Sequence, residues 1–215
     1  MSAPVSTCAL IDIGIGNLHS AEKAFARMAE GRTRIVVTGD PETVAAADRI
    51  VLPGDGAFPA VRGALAGAPG LEEALREAVE SRGTPLLGIC VGMQMLARRG
   101  HEFETVEGLG WIDGEVVRIE PDDPSLKVPH MGWNDLVVTG AHPVLHGIAS
   151  GDHAYFVHSW QVRVADPAQS LAHADHGGPV TAIVGRGNVV GTQFHPEKSQ
   201  EAGLRLIANF LKWAP

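Results

Sequence analysis

Cysteine is scarce in this sequence: of 215 residues, only Cys8 and Cys90 carry a thiol. Two cysteines cannot build the disulfide framework of a small secreted domain, so a reducing compartment, the cytoplasm, is expected. Long apolar runs are missing too. None approaches the roughly 18 residues that would span a bilayer, so no membrane is expected as a partner. The opening Met1–Thr7 has neither the basic start nor the apolar core of a secretory signal. Basic residues are also in deficit, with 17 Lys and Arg against 25 Asp and Glu and a formal net charge of −8. That balance argues against nucleic acid as the main partner, but not against a small anionic ligand held by a partner protein. No linker, repeat or low-complexity tract interrupts the chain, and its length suits one domain over residues 1–215.

What is present begins with alternation. Cys8–Ile13 reads as a buried strand, followed by a Gly14–Asn17 turn and a helix marked by Leu18, Ala21, Phe25 and Met28 at helical spacing. The turn lacks the third glycine of a dinucleotide fingerprint, because His19 stands there, so no nucleotide cofactor is expected. Arg34–Thr38 and Arg49–Leu52 are further strands, separated by a helix over Pro41–Asp48 with proline at its start. An amphipathic helix over Gly70–Ser81 then leads into the apolar run before Cys90. Strand and helix in turn predict an α/β fold: a mostly parallel sheet with helices on both faces. After about Gly108 the texture changes. Gly114–Ile119, Asp135–Val138, Ala154–Val157, Gln161–Val164, Val180–Val184 and Asn188–Gln193 read as additional antiparallel strands, and Glu201–Trp213 as a closing helix.

Cys90 sits in Gly88-Ile89-Cys90-Val91-Gly92, between an apolar run and a stretch of helical character reaching Leu96. Glycines two residues either side of it suggest a tight strand–nucleophile–helix elbow, where free N–H groups at the helix start favour the thiolate. On these residues alone, a structural core cysteine remains equally open. Pro53-Gly54-Asp55-Gly56 ends a neighbouring strand, and its glycines permit backbone N–H groups to face a ligand; an ordinary turn fits as well. A cysteine nucleophile needs a base and a group to orient that base. Of ten histidines, His195 stands out, because Pro196 forces it into extended backbone and side chains at i and i+2 then point the same way. His195 and Glu197 can therefore lie side by side. His173 and His176 have no cysteine or carboxylate at a ligand spacing, so no metal is expected.

Taken together and in this order, Gly88–Gly92, Pro53–Gly56 and His195–Glu197 resemble the class I, triad-type glutamine amidotransferases. Four further stretches resemble one branch of that family, the glutaminase subunits of imidazole glycerol phosphate synthase. They are Asp12–Leu18, Val128–Asn134, Tyr155–Ser159 and Gln193–Gln200, and the likeness runs from about Ala9 to Phe210. The resemblance implies a flavodoxin-like core and a catalytic Cys90, His195 and Glu197. It implies an oxyanion hole from the backbone of Val91 and of Gly54 or Asp55. L-glutamine would be held by Gln94, Gly56 and the backbone of Ser159 and Trp160. Asp55 stands where the family usually carries an apolar residue, and its side chain is expected to face away from the oxyanion. Ammonia would pass to a (β/α)-barrel cyclase subunit, in a heterodimer, with Asn17, Met131, Trp133, Asn134 and Lys198 as candidates for the shared surface. No cofactor is implied.

Overall fold

The computed structural model describes residues 6–16 and 18–215; Asn17 lies outside them. The parallel core comes first. Strand β1 (Ser6–Ile11) leads to helix α1 (Leu18–Ala29), β2 (Thr33–Thr38), α2 (Pro41–Ala46) and β3 (Arg49–Gly54). Helices α3 (Phe58–Gly67) and α4 (Leu71–Arg76) follow, α4 running on through a wider turn at Glu77–Ser81 before β4 (Leu86–Cys90) and the single-turn α5 (Val91–Gln94). Asp40 starts α2 by accepting the Thr43 N–H, with Pro41 filling a position that needs no donor.

The remainder is mostly strand. It runs through β5 (Ala97–Gly100), β6 (Val106–Glu107), β7 (Ile112–Arg118), β8 (His130–Asp135) and β9 (Val137–Val138). Next come β10 (His153–His158), β11 (Trp160–Val164), β12 (Ser170–Asp175), β13 (Pro179–Arg186), β14 (Val189–Thr192) and helix α6 (Gln200–Lys212). The main sheet has eight strands in the order β2-β1-β3-β4-β14-β13-β12-β9. A four-stranded sheet, β11-β7-β5-β6, and the antiparallel pair β10-β8 stand beside it. Helices α1 and α6 pack together, with the Phe25 and Phe210 rings edge to face at 6.4 Å. Among the described residues, no helix is long and apolar enough to cross a membrane.

The α/β reading holds, although β5, β6, β12 and most of β8 were not expected as strands and β7 also pairs parallel with β5, and three further corrections follow. Residues 188–193 were expected as an added antiparallel strand, yet β14 lies between β4 and β13, antiparallel to β13 and parallel to β4. All four of its residues are buried, as suits a strand inside a sheet rather than at its edge. The helix after Cys90 stops at Gln94 rather than reaching Leu96. Leu109 and Ile112 donate their N–H groups to the carbonyls of Met95 and Leu96, which turns that segment into the second sheet. Helix α3 was missed, although Phe58, Val61 and Leu65 are its buried face at helical spacing. Gly63 and Gly67 had masked it, since glycine is a poor helix former.

Candidate active site

Backbone pairing brings the candidate residues to one edge of the sheet. Gly54 at the end of β3 is in register with Cys90 at the end of β4. Thr192 of β14 pairs with Ile89, so the chain emerges three residues later with His195 beside Cys90. This is the carboxyl edge of the parallel strands, where open α/β sheets hold their ligands.

Cys90 has φ +56° and ψ −115°, a backbone state outside the ordinary regions for an L-residue. Such a residue stores about 1–3 kcal/mol of strain and persists only where its surroundings over-determine it. Here the surroundings are three glycines. A Cβ on Gly88 would lie 2.6 Å from the Gly92 carbonyl oxygen, and one on Gly54 2.5 Å from the Gly92 nitrogen. A Cβ on Gly92 would lie 1.8 Å from the carbonyl oxygen of Leu52. Strands β3 and β4 and the turn of α5 thus meet backbone to backbone, and the junction turns the Cys90 side chain out of the strand. One helical turn brings free N–H groups but little macrodipole, so the positive charge for a thiolate has to come from elsewhere.

It comes from His195. Nδ1–H donates to Glu197 Oε1 at 2.9 Å, and both side chains are nearly sealed from solvent, at 9% and 5% exposure. The carboxylate can only accept, which fixes the proton on Nδ1 and leaves Nε2 for Cys90. The His195 backbone is pinned by its N–H to the Tyr155 carbonyl and by its carbonyl to the Ser199 hydroxyl, at 3.2 and 2.7 Å. Burial opposes charging of this imidazole, but the hydrogen bonds and charges of Cys90 and Glu197 outweigh it and push its pKa up to about 10. The arrangement favours an imidazolium held between the Cys90 sulfur and the Glu197 side chain.

Beside Cys90 opens a cleft of about 250 Å³ lined by Gly56, Val91, Gln94, Ser159 and Trp160, with Asp55 at its rim. Gln94, Gly56, Ser159 and Trp160, expected to hold a small substrate, are therefore at one cavity with Cys90, and Gly54 is buried. Gly56 has φ +99°, a left-handed state that needs glycine. Asp55 is solvent-exposed. Glu102 was missed by the sequence reading and lines the same cleft. Its Oε2 accepts the first N–H of α3, from Phe58, at 2.7 Å, and nothing local in the Glu102 stretch signals this. A second crevice touches His195, Glu197, Lys198, Gly16 and Asp55.

The surface candidates divide. On β8, Met131 and Trp133 are exposed, at 62% and 48%, while His130 points inward. Asn134 also turns inward, donating to the Asp175 carbonyl at 2.7 Å and to His130 Nε2 at 3.1 Å. Behind it runs a chain of neutral histidines: His130 Nδ1–H donates to His158 Nε2 at 3.1 Å, and His158 Nδ1–H to the Trp160 carbonyl at 2.8 Å. Burial, together with the neighbouring histidines, lowers His130 to about 3 and His158 to about 4, from 6.5.

Those two shifts have a measurable outcome. Between pH 6.5 and the folded values the unfolded chain binds protons that the native protein refuses, so stability falls as pH falls. The slope is about 1.4 kcal/mol per pH unit for each histidine. His195 opposes this slope only near pH 6.5, where the unfolded imidazole is partly neutral; below about pH 5.5 it is charged in both states and adds none. Urea unfolding between about pH 6.5 and 4.5 checks it. The His158→Gln variant should lose about 1.4 kcal/mol per pH unit of the slope, and an unchanged slope would contradict the neutral histidine chain.

Comparison with known proteins shows the family. The family model described as "Glutamine amidotransferase class-I" matches residues 9–213. A protein of Ruegeria pomeroyi called "Imidazole glycerol phosphate synthase subunit HisH" is 63% identical over 209 residues, covering 96% of this chain and 99% of that relative. One of the same name from Cereibacter sphaeroides is 66% identical, over 96% of this chain and 98% of its own length. Among solved structures, "Structure of PurLQS from Thermotoga maritima" superposes with a TM-score of 0.71 at 21% identity, covering 97% of this chain and 99% of that one. At that identity it supports the fold alone. This chain belongs to the class I glutamine amidotransferases.

Proposed function

We propose that Cys90, His195 and Glu197 form the triad of a glutaminase that supplies ammonia within imidazole glycerol phosphate synthase. The observation that carries it is the buried His195, paired to Glu197 at 2.9 Å and raised to about 10 by Cys90 and Glu197, with Cys90 itself on the wall of a substrate-sized cleft.

The Cys90 thiolate attacks the side-chain carbonyl carbon of glutamine. The developing oxyanion is met by the Val91 N–H and by a peptide N–H at Gly54–Asp55. One such donor is worth on the order of a hundredfold or more in rate. His195 gives its Nε2 proton to the departing nitrogen, ammonia leaves, and a glutamyl thioester remains. His195, now neutral, takes a proton from water, which attacks the thioester and frees glutamate. Glu197 keeps the imidazole in one tautomer through both steps. Gln94, Gly56 and the Ser159–Trp160 backbone hold the amino-acid end of glutamine, and the Glu102 carboxylate on the cleft wall suits its ammonium group.

Relatives at 63% and 66% identity carry the synthase subunit name, which supports a barrel cyclase as the partner that takes up the ammonia. The products would be imidazole glycerol phosphate and aminoimidazole carboxamide ribonucleotide. Met131 and Trp133, exposed apolar side chains on one face of β8, suit a protein partner, and Lys198 borders the crevice that reaches His195. The test is glutamine hydrolysis by the purified chain, alone and with the cyclase subunit of the same organism and its ligand. Acceleration by the loaded cyclase, with ammonia recovered in product rather than in solvent, is the expected result. Full hydrolysis by the isolated chain, unchanged by the cyclase, overturns it.

A further inference from the structure

Gln193 is fully buried, 0% exposed, just past the end of β14. Burying an amide is unfavourable unless hydrogen bonds replace those it made with water, so its side-chain partners say why it is there. They are the thiol and a substrate-facing residue: Nε2–H donates to Cys90 Sγ at 3.8 Å, and Oε1 accepts from Gln94 Nε2 at 3.1 Å. The orientation of both amides follows from one fixed point. The Trp160 carbonyl can only accept, so the Gln94 group meeting it at 3.0 Å is the NH2. The second hydrogen of that NH2 goes to Gln193, whose facing atom is therefore oxygen. The other end of Gln193, an N–H, is left toward the sulfur. With both its hydrogens committed, Gln94 has only Oε1 free, and Gln94 lines the cleft.

We propose that Gln193 is a positioning residue of the glutaminase reaction. Its N–H stabilises the Cys90 thiolate, and its oxygen locks the Gln94 amide so that Gln94 Oε1 receives the α-ammonium of glutamine. A donor to an ionised sulfur is stronger than one to a neutral thiol, so the contact favours the reactive form. The proposal rests on the reading of Cys90 as nucleophile and Gln94 as substrate contact.

The first measurement reads the thiol without requiring turnover. Alkylation of Cys90 by iodoacetamide is followed against pH by the mass of its peptide, which separates it from buried Cys8. Gln193→Met keeps the length and removes both hydrogen bonds; Gln193→Glu keeps the acceptor for Gln94 but sets a carboxylate against the sulfur. The other titratable groups around Cys90 are unchanged: His195 with Glu197 after β14, Asp55 after β3, His158 on β10 and Glu102 on the cleft wall. The alkylation midpoint should move alkaline in both variants, by about one pH unit or more in Gln193→Glu. On the assembled synthase, the glutamine KM should rise about tenfold in Gln193→Met, and less in Gln193→Glu. A midpoint unchanged in either folded variant overturns the role at sulfur, and an unchanged KM in Gln193→Met overturns the lock on Gln94. If the unmodified protein itself shows no lowered midpoint, it is the thiolate in the proposed function that fails.

Discussion

The Cys90→Ala variant is expected to lose glutamine-dependent turnover by at least about four orders of magnitude while keeping its fold. Removing the nucleophile of a triad leaves only oxyanion stabilisation and substrate binding, and losses of roughly this size or larger follow in comparable enzymes. The strained backbone at position 90 is as acceptable to alanine as to cysteine, since both carry a Cβ. Alanine also removes one of the two groups that hold His195 charged, so the imidazole pKa should fall from about 10 and be visible by NMR titration. In the assembled synthase, added ammonium should still sustain product formation, because only the source of ammonia is lost. Glutamine-dependent turnover equal to that of the unmodified protein would end the catalytic reading.

Gly92→Ala should have the largest effect on stability. Its new Cβ would lie 1.8 Å from the Leu52 oxygen, 2.9 Å from the Leu52 carbonyl carbon and 3.2 Å from that of Pro53. All three are backbone atoms in the middle of a sheet, so no side chain can swing aside. Overpacking costs about 1–3 kcal/mol where side chains can adjust. Here β3 itself must separate from the elbow, and at least about 3 kcal/mol is expected, or a fall in Tm of roughly 6–12 °C. Gly63→Ala is the control with opposite sign. Its Cβ would meet nothing within 4 Å on α3. Alanine there should stabilise by about 0.5–1 kcal/mol. Thermal unfolding of the two variants side by side decides it, and a Gly92→Ala protein as stable as the unmodified one would refute the backbone junction.

The two glycine outcomes bear on how much of this molecule its sequence discloses. Gly88 and Gly92 around Cys90 are legible as a tight turn, and the structure supplies the reason: each lies against backbone. His195-Pro196-Glu197 is legible because proline and the two-residue spacing are local constraints. Helix α1 follows its apolar spacing. What could not be read depends on partners far along the chain. The turn at Gly187–Asn188 advertises the antiparallel pairing of β14 with β13, but nothing local shows that its other edge pairs with β4. Glu102 reaches the cleft because α3 begins opposite it, and α3 itself was hidden by its glycines. Gln193 looks like one more residue of an apolar strand until Gln94 and Cys90 are seen on either side of it. Apart from α3, these features arise where two distant segments meet.

The position of β14 also bears on time. Among the described residues every other strand precedes it in the chain, yet it fills the middle of the main sheet. A ribosome that has released everything up to β13 has made Cys90 but neither its base nor the strand that closes the sheet beside it. On the proposed function, the nascent thiol therefore lacks its base while the chain is most exposed, and gains it only once β14 is inserted. The same order leaves the buried Leu86–Cys90 strand with one open edge until then, an apolar edge that can pair wrongly with another chain. Protection from misplaced chemistry and exposure to misplaced pairing come from one choice of strand order.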